Sequence, residues 1–294
     1  MTELFLAMED DQGANRGPLD FGRRIWNTTM TVLIPFWPFM KETCQEYEPS
    51  ASQVFDPVVD DEVWIYINGI CTTRDLNKGN CVKLNELFHR KVYSVHNPTH
   101  SMWYDLLECA MGKVGLFGDL VPPRRLLKKV LKHHLHQAKK DGKKKVVLIA
   151  HSQGTIITGR ALEEMGEHGD PETTALMKEM LHVYLFANCA NVMPVENVKY
   201  LENISNRKDV VAWLGEFFPF PNFWVSNDHE SIDKTPTVEI PNHWGHLLNT
   251  HYLIPMRKNP EIFQKSALVQ QLMIGKHNVS SSMDVAEPKV TKQE

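Results

Sequence analysis

Val146-Val147-Leu148-Ile149-Ala150-His151-Ser152-Gln153-Gly154-Thr155 is the stretch whose reading decides the fold. A basic lead-in runs into a short apolar, β-branched segment. A small residue, His, Ser, Gln and Gly follow, and then a helix-like start at Ile156-Ile157. The pattern predicts a strand, a sharp turn with Ser152 at its apex, and a helix. The residues two before and two after the serine must be small, because the backbones pass closely there. Ala150 and Gly154 meet that demand.

A strained strand-to-helix turn is where α/β-hydrolases carry a nucleophilic serine, usually within G-x-S-x-G. Ala150 stands in the place of the first glycine. Such a turn lifts the hydroxyl clear of the sheet and sets the next backbone N–H, that of Gln153, where an oxyanion can form. The competing reading is a plain β-turn-α connection in another doubly wound fold.

Working outward, the 294 residues allow one large α/β domain or two small ones. Apolar residues make up 42% and charged residues 23%, the balance of a globular chain. A formal charge of −4 and a pI near 6.4 give no bias toward nucleic acid. Five scattered cysteines, Cys44, Cys71, Cys81, Cys109 and Cys189, show no metal-ligand spacing and read as reduced thiols. No signal peptide or membrane-spanning segment is seen, so a cytoplasmic location is expected. Residues 1–20 and 277–294 lack apolar periodicity and read as disordered tails. Residues 21–276 between them read as a single domain.

Strands are expected at Val63–Ile67, Lys91–His96, Lys145–Ala150, Leu181–Ala187 and Val198–Ile204. Helices are expected at Asp75–Arg90, Trp103–Met111, Arg124–Lys140, Gln153–Met165, Pro171–Met180 and Pro260–Leu272. Alternating elements with strands apolar on both faces imply an α/β fold with a mostly parallel central sheet and helices on both faces. Two segments keep two readings each. Thr31–Met40, with Ile34, Phe36, Trp37 and Phe39, is a lid or lipid-touching arm, or a non-helical arm packed on the core. Arg124 to Lys145 holds ten Lys/Arg and one acid, Asp141. It is an anionic-lipid surface, or the solvated face of a surface helix.

A nucleophilic serine needs a base and an orienting acid, which follow it in the order Ser, Asp/Glu, His in this fold. Asp209, just past the predicted strand ending at Ile204, is the leading acid, with Asp228 and Asp233 next. Three histidines follow within nine residues: His243, His246 and His251. His246 comes after Gly245 and before an apolar helical start, which favours it as base. The turn Asn68-Gly69-Ile70-Cys71 after an early strand offers the N–H of Ile70 or Cys71 as second oxyanion donor. Spacing alone equally allows a simple turn there.

Several segments occur in an order that resembles a known group. They are Ile67-Asn68-Gly69-Ile70, Val95-His96-Asn97-Pro98-Thr99, His151-Ser152-Gln153-Gly154, Asn188-Cys189-Ala190-Asn191, Asn206 to Val211 and Gly245 to Leu253. Over residues 60 to 255 the chain resembles lipase-like serine-esterase α/β-hydrolases, largely uncharacterised and common in fungi. Thr155 departs from the group's H-S-Q-G-G pattern. The resemblance implies Ser152 as nucleophile, Asp209 as acid and His246 as base. The expectation is hydrolysis of a small-molecule or lipid carboxylic ester, with no metal or organic cofactor. A non-catalytic protein of the same fold, binding a lipid or a protein partner, is the alternative. The arm and the basic helix together predict weak association with a membrane surface.

Overall fold

A computed structural model of the chain describes residues 43–49, 53, 60–70, 72–98, 122–190, 193–206, 208–209, 235–240, 244–259 and 266–270. Both expected tails, the arm at Thr31–Met40 and the helix at Trp103–Met111 lie outside these residues. So do Cys71, His243, Asp228 and Asp233.

The elements run β1 (Gln45–Tyr47), β2 (Glu62–Ile67), α1 (Arg74–Phe88), β3 (Val92–His96), α2 (Pro122–Lys140), β4 (Lys145–His151), α3 (Gln153–His168), α4 (Pro171–Met180), β5 (Leu181–Phe186), β6 (Tyr200–Asn206), β7 (Thr237–Ile240) and α5 (Ile254–Lys258). A π-helical turn, Leu248–Leu253, leads directly into α5. The helix starts follow ordinary capping rules. Thr73 accepts from the N–H of Leu76 before α1, and Asp170 from that of Thr173 before α4, where Pro171 opens the helix.

Seven strands form one sheet in the order β1-β3-β2-β4-β5-β6-β7. Six are parallel, and β1 alone pairs antiparallel, on the β3 edge. This is an α/β fold with a mostly parallel mixed sheet and helices packed against it. The short edge strands β1 and β7 were not expected from the sequence. The predicted strand at Val198–Ile204 begins later, at Tyr200, because a 3-10 turn occupies Val195–Asn197. The helix expected at Pro260–Leu272 is described only over 266–270.

Side chains alternate across the sheet with period two. In β4, Val146, Leu148 and Ala150 join one core with Leu127, Leu131 and Leu135 of α2, Ala161 and Leu162 of α3, and Met177 of α4. Val147 and Ile149 join the other with Leu84 and Phe88 of α1, Tyr252 and Leu253 of the π turn, and Met256 of α5. Helices therefore cover both faces, which is why the strands read as continuous apolar runs.

The chain leaves β2 for β3 on one side and then crosses to β4 on the other. The carboxyl ends of β2 and β4 thus flank a topological switch point, where open α/β sheets leave a crevice for ligands. Among the described residues no helix is long and apolar enough to cross a membrane.

Candidate active site

Ser152 follows the last residue of β4 and precedes the first residue of α3. Its φ of 56° and ψ of −126° are rare for a residue with a side chain. A serine before a helix normally spends its hydroxyl capping the first turn. Here the side chain makes no capping bond. Instead, Ser152 Oγ lies 2.7 Å from His246 Nε2.

The small neighbours expected around this turn have visible reasons. A Cβ on Gly154 would stand 2.8 Å from Asn68 O and 2.9 Å from Ile67 O, at the end of β2. A Cβ on Gly69 would come within 2.5 Å of Ser152 Cβ and 3.0 Å of its Oγ. The β2 turn and the serine turn are thus in direct contact. Gln153 opens α3, and the first amides of a helix have no carbonyl one turn back. Ile70 follows Gly69 beside the serine.

The other side of His246 faces Asp209. Nδ1 lies 2.9 Å from Oδ1 and 2.8 Å from Oδ2. A carboxylate only accepts, so Nδ1 carries the ring proton of the neutral imidazole. Nε2 is then the bare nitrogen, and the Ser152 hydroxyl donates to it. The Asp209 side chain is fully buried, whereas that of His246 is 17% exposed. The Tyr252 hydroxyl donates to Asp209 Oδ2 at 2.6 Å. Burial and that carboxylate together push the Tyr252 phenol well above its ordinary pKa, so it stays protonated as a donor.

Asn206, the last residue of β6, joins the Asp209 turn to the His246 loop. Its Nδ2 donates to Gly245 O at 3.1 Å, and its Oδ1 accepts from the N–H of Lys208. The Gly245 N–H in turn donates to Lys208 O at 3.3 Å.

Beside the serine turn, three side-chain amides lock together. Asn68 Oδ1 accepts from the N–H of Asn97, and Asn68 Nδ2 donates to Asn97 O, both at 2.8 Å. Asn97 Nδ2 donates to Gln153 Oε1 at 2.5 Å. The ends of β2 and β3 are thereby tied to the residue after the serine. Thr155 is closer to the turn than its place in the sequence implies. Its hydroxyl donates to Ser152 O at 2.7 Å and accepts from the N–H of Cys189 at 2.9 Å.

Of the residues singled out in the sequence, Ser152, His246 and Asp209 meet in one hydrogen-bonded line. Gln153 and Ile70 lie at the turns beside Ser152. His251 does not take the place of the base; it accepts from Leu247 N–H through Nδ1 at 3.0 Å. Sequence reading assigned no role to Tyr252, His151 or Asn97. All three sit inside quoted segments, but their partners are remote in the chain. Among the described residues the side chains of His136 on α2 and of Asp170 and Glu172 at the start of α4 lie close enough together to hold an ion, away from this site.

Compared with known proteins, the chain matches no protein-family model and no curated protein sequence.

Proposed function

We propose that the protein is a serine hydrolase that cleaves a carboxylic ester through a Ser-His-Asp triad. The observation that carries this reading is the unbroken line Asp209–His246–Ser152, with bonds of 2.8 and 2.7 Å and the only tautomer that leaves a base facing the serine. The resemblance to lipase-like serine esterases of the α/β-hydrolase fold supports the same reading. So do the strained turn after β4 and its place at the switch point.

In this reading His246 Nε2 takes the Ser152 proton as Oγ attacks the ester carbonyl. Buried Asp209 stabilises the imidazolium that forms. The carbonyl oxygen, now an anion, is received by the N–H groups of Gln153 and of Ile70 or Cys71. The tetrahedral intermediate collapses, and His246 returns the proton to the leaving alcohol. An acyl-enzyme on Oγ remains. Water, deprotonated by the same histidine, then releases the carboxylic acid. These steps need no metal or organic cofactor.

The test is labelling with a fluorophosphonate probe beside turnover of p-nitrophenyl esters of rising chain length. Labelling of the native protein and not of Ser152→Ala, together with ester turnover, supports the reading. A protein that neither labels nor turns over any ester is a hydrolase-fold binding protein instead.

A further inference from the structure

The peptide bond that follows His246 is held at both ends by histidines. Its carbonyl, His246 O, accepts from His151 Nε2 at 2.9 Å. Its N–H, that of Leu247, donates to His251 Nδ1 at 3.0 Å. We propose that His151 and His251 are positioning residues: they clamp the His246–Leu247 peptide and thereby fix the His246 ring between Asp209 and Ser152. The proposal rests on His246 acting as the base.

Hydrogen-bond chemistry sets both tautomers. A carbonyl only accepts, so His151 carries its proton on Nε2. An N–H only donates, so His251 Nδ1 is bare. His151 is 7% exposed, and its ring lies 5.0 Å from that of His246 and 6.2 Å from that of Tyr252. Burial, then the neighbouring His246, hold its pKa down to about 3, so it stays a neutral donor near neutral pH.

The loop is shaped for the second histidine. Gly245 has φ +129°, and a Cβ there would overlap the His251 ring. The glycine before the base therefore makes room for the side chain that holds the base. The π turn carrying His251 folds back on the loop, with its N–H donating to Leu247 O at 3.0 Å. Fixing one peptide plane fixes where the His246 Cα stands, the anchor from which the contacts to Asp209 and Ser152 set the ring through χ1 and χ2. Misplacing a reacting group by about 1 Å can cost about a hundredfold in rate.

Isosteres test the clamp. Asn Oδ1 is as many bonds from Cα as His Nδ1, and Gln Nε2 as many as His Nε2. His251→Asn thus keeps the acceptor and His151→Gln the donor, whereas His251→Leu and His151→Leu keep neither. With a p-nitrophenyl ester, each Leu variant should lose roughly tenfold to a hundredfold in kcat at unchanged KM. His251→Asn and His151→Gln should recover most of that loss. The double Leu variant should lose less than the product of the single losses, because both histidines act on one peptide. A second readout needs no turnover. The low-field proton resonance of His246 Nδ1–H toward Asp209 should persist in the Asn and Gln variants and disappear in the Leu variants. That signal separates failure of the clamp from failure of the hydrolase reading, which Ser152→Ala and probe labelling decide. Equal kcat loss in His251→Asn and His251→Leu overturns the clamp. So does a His251→Leu protein that keeps both its kcat and the low-field resonance. The His251 pair carries the test if His151→Leu does not fold.

Discussion

Among the described residues, ionisable side chains gather both around Ser152 and along α2, in different surroundings. At the site, the Asp209 side chain is fully buried and is met by both Tyr252 and His246. Along α2 and the start of β4 the cations are more numerous, and most of their partners (Asp170, Glu179, Asp60 and Asp61) are more than a third exposed, whereas Glu164 is less so and Arg124 and Glu62 are buried. Lys132 pairs with Asp170 and Lys139 with Glu179, and both lysines are more than half exposed. Arg124 and Lys128 meet Glu164, Lys143 meets Asp60, Lys144 meets Asp61 and Lys145 meets Glu62. Density of charge in the sequence is therefore a poor guide to its consequence. Burial and a fixed partner decide whether a charge organises chemistry or merely sits at a solvated surface.

The comparison breaks most sharply at Ser152, the proposed nucleophile. Ser152→Ala should lower ester turnover by about 10⁶-fold and Asp209→Asn by about 10⁴-fold, by analogy with other triads. Neither should move the melting temperature by more than a few degrees, which calorimetry checks. Near-native turnover in either variant would place the chemistry elsewhere.

Tyr252→Phe sharpens the comparison at one remove from the reacting atoms. Loss of a hydrogen bond to a charged group should cost about 1.5–3 kcal/mol of stability, read from denaturant unfolding. On the proposed reading, the freed carboxylate then holds the imidazolium differently, so kcat for a p-nitrophenyl ester should change at unchanged KM. An unchanged kcat would mean that Tyr252 only packs.

Acid should find the buried site before the surface. His151 has its pKa held down to about 3 in the fold, against an ordinary 6.5. Between those values the unfolded chain binds a proton that the folded one refuses. This contribution to stability is therefore intact above about pH 6.5 and is lost progressively as pH falls toward 3. His151→Gln should flatten the fall in melting temperature over that window. His182, held down to about 4 by burial and by Lys145, accounts for part of the slope that stays.

The smallest effects belong to α2. Lys139→Ala should change stability by only about 0–1 kcal/mol, and less at high salt. The surface pairing also bears on the proposed membrane association, since paired lysines offer less field to an anionic surface. Sedimentation with anionic vesicles at low and high salt tests it. Salt-insensitive binding, or none, would remove the basic helix from that proposal.

What could be read ahead of the structure was local. The central strands β2, β4 and β5 show as apolar runs, and the small residues around Ser152 mark the turn. The chain order of Ser152, Asp209 and His246 follows from where each lies relative to a strand end. The edge strands were not legible, because β1 has three residues and β7 four, too short for a period to declare itself. Nor were the partners of Tyr252, His151 and Asn97. A tyrosine in an apolar segment reads as core until the fold brings a carboxylate 43 positions away to its hydroxyl. The ion pairs of α2 were hidden for the same reason, since their acids come from α3, α4 and the start of β2.

The backbone of Ser152 has a consequence for stability. Its φ of 56° is held by the Ser152 N–H bond to Phe186 O and by Thr155 on its carbonyl, not by any preference of serine. Such a conformation costs about 1–3 kcal/mol and persists only where the surroundings impose it. Glycine adopts positive φ freely. Ser152→Gly should therefore relieve part of that strain, offset by the greater freedom of glycine in the unfolded chain. On the proposed reading, serine at that apex trades robustness for reactivity.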